Sequence, residues 1–77
     1  MNKQRRKIIH GAIVSLQGIS EQIDAVTEEE QEVNDNLPES IRHSDRGQLC
    51  EAACQQLQEA QTTIESLIEN LEEAKLC

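Results

Sequence analysis

A chain of 77 residues with 36% apolar side chains and no Phe, Tyr or Trp can bury only a thin core of Ile, Leu, Val and Ala. Its net charge of -8, with every acid at or after Glu21, argues against nucleic acid or an anionic membrane as the main partner. Three cysteines, an odd number, do not read as a disulfide framework and fit a reducing cytosol.

The first helix is expected from about residue 3 to residue 33. Lys3–Lys7 followed by an apolar run resembles the opening of a secretory signal, but His10, Gly11 and Ser15 interrupt it and no small-residue cleavage site follows. Ile9, Ala12, Leu16, Ile19, Ile23, Val26 and Val33 recur in steps of three and four, the spacing of a seam made to face another helix. Gly11 and Gly18 share one outward position, where each costs about 1 kcal/mol relative to Ala. They read either as tolerated surface glycines or as a groove for a second backbone.

Residues 34–44 read as the turn. Pro38 cannot continue the helix and restrains Leu37. Asn36-Leu37-Pro38-Glu39 has the form of a capping box, so residues 37–42 are expected to make one short helical turn. Leu37 and Ile41 would plug the end of the seam. Ser44 or Asp45 is the expected N-cap of the second helix, residues 45–76. There Cys50, Ala53, Leu57, Ala60, Ile64, Leu67, Leu71 and Ala74 repeat the same spacing.

These elements predict one all-α domain, an antiparallel helical hairpin that dimerises into a four-helix bundle. Folding back sets basic Lys3–Lys7 beside Glu69, Glu72 and Glu73, and brings Glu28–Glu32 near Arg42 and Arg46. Ile8, Ile13, Leu49, Cys54 and Ile68 widen the apolar stripe beyond a two-helix contact and are candidates for a dimer contact or a partner surface. Glu30 falls where the first seam expects an apolar residue. No apolar stretch reaches the roughly 18 residues of a membrane span.

Residues 8–20 contain no Asp, Glu, Lys or Arg, unlike a solvent-washed helix, and read as a docking or dimer surface. Glu21, Asp24, Glu28, Glu32 and Asp35 then follow along one side of the same helix. Such a stripe is a solvated face, a docking surface for a basic protein, or a mimic of phosphates. The candidate partner-binding residues are therefore Ile8, Ile13, Val14, Glu21, Asp24, Glu28, Glu29, Glu32 and Asp35. Cys50 and Cys54, one turn apart, could share a metal as a small sensor, but with His43 they still lack a fourth ligand, so no metal is assigned. No nucleophile motif, phosphate loop or dinucleotide fingerprint is present, and a two-helix hairpin offers no dry pocket to separate two carboxylates. The expectation is a protein without catalytic residues or cofactor.

Asp35-Asn36-Leu37-Pro38-Glu39-Ser40, then Ser44-Asp45-Arg46-Gly47 and an Ala/Leu seam, after the basic start Met1-Asn2-Lys3-Gln4-Arg5-Arg6-Lys7, resembles small acidic α-helical phage and prophage proteins. The resemblance covers almost the whole chain and rests on turn and cap chemistry, with the aromatic residues of the pattern missing. It implies a bacterial cytoplasm during infection and a protein that binds and blocks a host protein or defence complex, in the manner of an anti-CRISPR. The alternative is a self-assembling coiled-coil scaffold without a heterologous target.

Overall fold

Asn2 opens the first helix: its Oδ1 accepts from the Arg5 amide at 2.8 Å, satisfying one of the amides a helix start leaves free. In the computed structural model, which describes residues 1–77, this helix is α1, Lys3–Asp35. Pro38 follows and ends it. A single turn, α2, covers Glu39–Arg42, and α3 covers Asp45–Lys75. α1 and α3 pack against each other as a helical hairpin, a rod measuring 59 × 15 × 12 Å.

The turn chemistry is partly as expected. Ser44 is the N-cap of α3, its Oγ accepting from the Gly47 amide at 3.3 Å and donating to the Ile41 carbonyl. The capping box at Asn36–Glu39 does not form. Pro38 takes the cap position of α2, no side chain caps it, and its own carbonyl accepts from Ile41 and Arg42. Leu37 and Ile41 are half-buried, closing the end of the seam. Arg42 donates to the Asp35 carbonyl at 3.1 Å, placing a cation on the negative end of α1.

The seam differs from its expected register by one position. In α1 the inward residues are Ile9, Ile13, Leu16, Ser20, Ile23, Thr27, Glu30 and Asn34. In α3 they are Gly47, Cys50, Cys54, Leu57, Gln61, Ile64, Ile68, Leu71 and Lys75, with Ala60 and Ala74 half-buried at the edge of the seam. Of the expected seams, Ile9, Leu16 and Ile23 of α1 and Cys50, Leu57, Ala60, Ile64, Leu71 and Ala74 of α3 are at least half-buried. The rest have exchanged places with their neighbours, so Ile19, Val26, Val33 and Leu67 are exposed.

The turn supplies the reason. A Cβ at Gly47 would collide with the Ile41 and Arg42 carbonyl oxygens. The chain therefore presents the Gly47 face of α3 to the turn, and everything seven residues on (Cys54, Gln61, Ile68) follows it inward. Rotating α3 by one position would drive Arg46 into that space.

The larger apolar side chains of the seam gather toward the chain ends. Ile9, Ile13 and Leu16 lie on the same half of the rod as Ile68 and Leu71, whereas Thr27, Glu30 and Asn34 share the turn half with Cys50 and Cys54. Thr27 is buried, and its hydroxyl donates to the Ile23 carbonyl at 2.7 Å. The expected ion pairs across the hairpin are not made. The one salt bridge is within α3, Lys75 to Glu72 at 3.2 Å, while Arg6 instead donates to the Cys77 carbonyl oxygen at 2.8 Å. Exposed pairs contribute about 0–1 kcal/mol, too little to override side-chain entropy at these ends.

Candidate functional site

On an α-helix each residue turns about 100° from the last, so the inward residues fix the direction of all the others. Gln31 and Gln58 mark one flank of the hairpin, touching across it at 3.5 Å. Two shallow depressions open on that flank. One is lined by Asp24, Thr27, Glu28, Gln31, Gln58 and Gln61, the other by Asn34, Asp35, Arg42, Gly47 and Glu51. The helical positions around them carry Glu21, Asp24, Glu28 and Asp35 on α1 and Glu51, Glu65, Glu69 and Glu72 on α3. This is a polar, acidic flank.

The opposite flank is its chemical reverse. In an antiparallel pair, the residue preceding each buried Ile13-type position on one helix lies beside its equivalent on the other. That sets Ala12, Ile19, Val26 and Val33 of α1 alongside Ala53, Ala60, Leu67 and Ala74 of α3. Between Ile8 and Val33, and between Leu49 and Ala74, the one ionisable side chain on this flank is Glu29.

The nine candidate residues divide between these surfaces. Ile13 is withdrawn from the set: at 2% exposed it is the most deeply buried large side chain, packed in the seam because the register is shifted by one. Ile8, 65% exposed, belongs to the uncharged flank and is joined there by Glu29. Val14, 53% exposed, lies on the line of Glu21, Glu28 and Asp35 instead. Glu21, Asp24, Glu28, Glu32 and Asp35 do form a continuous sector, running from the acidic flank to the outer face of α1. Gln31 Nε2 holds Asp35 Oδ1 at 3.0 Å within it. The exposed Ile19, Val26, Val33 and Leu67 were assigned to the seam by their spacing. The clue to their true place was Gly47, whose lack of a side chain marks the face that meets the turn.

The dimer-surface candidates are rearranged in the same way. Ile13, Cys54 and Ile68 are seam residues, while Ile8 and Leu49 remain outside. Burial, and then the charge of Glu30, push the Cys54 thiol above its usual pKa of 9.0. Cys50 is half-buried and Cys77 exposed, and all three thiols are free. No three His, Cys, Asp or Glu side chains converge as a metal site. No helix is long and apolar enough to cross a membrane. No protein-family profile, curated protein or solved structure matches the chain.

Proposed function

We propose that this hairpin is a non-catalytic protein-binding module that acts by direct docking, alone or as a homodimer, on a basic surface of a host protein or defence complex. The observation that carries the reading is the segregation of charge. One side of the rod gathers Glu21, Asp24, Glu28, Glu32 and Asp35, and the other is almost free of charge. An acidic sector of this kind steers association with a positively charged surface and sets its orientation. The resemblance to small acidic phage proteins supplies the setting, a bacterial cytoplasm, and the outcome, inhibition in the manner of an anti-CRISPR. The exposed apolar flank favours a second reading, a self-assembling scaffold.

The test is capture from bacterial lysate, then titration of the captured protein's own activity with purified hairpin. A near-stoichiometric partner whose activity falls with added hairpin is the expected result. Glu21→Lys/Glu28→Lys/Glu32→Lys is expected to weaken that binding at least tenfold while the helical content is kept. Equal affinity of the triple variant would reject docking through the acidic sector. A partner whose activity is unchanged by saturating hairpin would reject inhibition.

A further inference from the structure

The apolar stripe of each helix is wider than the hairpin uses. α1 spends Ile9, Ile13, Leu16 and Ile23 on the seam and completes it with Ser20, Thr27, Glu30 and Asn34, while Ile19, Val26 and Val33 stay outside. A two-helix contact needs only a narrow seam, and a helix with a broader stripe has two neighbours. Most of the surplus lies on one flank, Ile19, Val26 and Val33 from α1 and Leu67 from α3, while Val14 lies off it. We infer that this flank is covered by a second copy of the same chain, making a four-helix bundle in which Ile19, Val26, Val33 and Leu67 become interior residues.

Area supports that occupant. A compact monomer of 8.7 kDa exposes about 4,700 Å² by the usual surface scaling. This rod exposes 5943 Å². The excess, roughly 1,200 Å² per chain over the whole of the elongated rod, exceeds the about 800 Å² that a stable interface takes from each partner. Charge supports it as well. Two copies of net charge -8 repel, and the uncharged flank is where they can approach with their acids turned away. Ala12, Ala53, Ala60 and Ala74 allow the backbones to come close between the larger side chains.

The inference rests on the homodimer of the proposed function and is independent of the host partner. It is tested on the purified full chain alone, so it can fail while the capture experiment succeeds, and the reverse. Sedimentation equilibrium at micromolar concentration should give about twice the monomer mass. A mixed sample of isotope-labelled and unlabelled chains should show intermolecular NOEs at the Ile19, Val26 and Leu67 methyls. Val26→Arg/Leu67→Arg should return the mass to that of one chain, while Gln55→Arg, away from the flank, should leave it doubled. A monomer in the wild type overturns the inference. So does a dimer whose intermolecular NOEs are confined to Val14 or other residues off this flank, a readout that does not depend on any variant folding.

Discussion

Cys54 shows how a single side chain registers the state of the seam. It is 3% exposed, and its neutral thiol is favoured first by burial and then by the nearby charge of Glu30. Its folded pKa lies above its unfolded value, so the folded state holds the proton more tightly. Stability is therefore complete below pH 9.0 and declines as pH rises beyond it. Urea unfolding at rising alkaline pH should show that loss, and Cys54→Ala should remove this part of the slope. Thiol labelling of the native chain should reach exposed Cys77 first and Cys54 last, with Glu30→Gln speeding the Cys54 reaction by lowering its pKa. Equal labelling rates for the two would contradict the burial.

At the scale of the helices, three glycines make three different demands. Gly11 and Gly18 have nothing within 4 Å of where a Cβ would stand, so the tolerated-surface reading holds within this chain. Ala at either site should raise stability by about 1 kcal/mol through helix propensity alone. Gly47 is required by the turn carbonyls, and Gly47→Ala should cost about 1–3 kcal/mol, the range of an overpacked site. Thermal unfolding of the three variants separates these cases by sign. The helices themselves were legible in the sequence: Ser44 caps α3 as its side chain predicts, Pro38 ends α1, and the three-and-four spacing gives the hairpin. The side that each helix turns to the other was not. The stripe through Ile19, Val26 and Val33 is more apolar than the one through Ser20, Thr27 and Asn34, so hydropathy chose the wrong half. Packing in the turn outweighed it. The same shift carried Ile13 out of the candidate docking set and left the acidic sector in place, since that sector lies well away from the seam.

The whole molecule is a thin rod with a strong sidedness. Fifteen acids against seven Lys and Arg give a self-repelling surface with only one internal salt bridge to offset it. Added neutral salt should therefore raise the melting temperature at neutral pH, by screening repulsion over about 10 Å at 0.1 M. A melting temperature that falls with salt would mean that attractive pairs dominate. The same sidedness separates two tasks in space. The proposed docking on a basic surface and the proposed self-association use different sides of the rod, so neither would compete with the other.

The uneven seam also fixes the order in which the hairpin can close. Its largest apolar layers, around Ile13 and Leu71, lie roughly sixty residues apart along the chain, and the layers next to the turn mix Leu37, Ile41, Cys50 and Cys54 with Thr27, Glu30 and Asn34. A hairpin normally zips from its turn, where loop entropy is least. Here the turn-proximal segments around Asn34 and Cys50 bury smaller apolar side chains, and the largest contacts wait behind a large loop. Closing the larger loop costs only about 1 kcal/mol more than the smaller, so stability hardly suffers. The kinetic effect is greater: the free ends must find each other before the largest layers form, and fraying of those ends loosens those layers first.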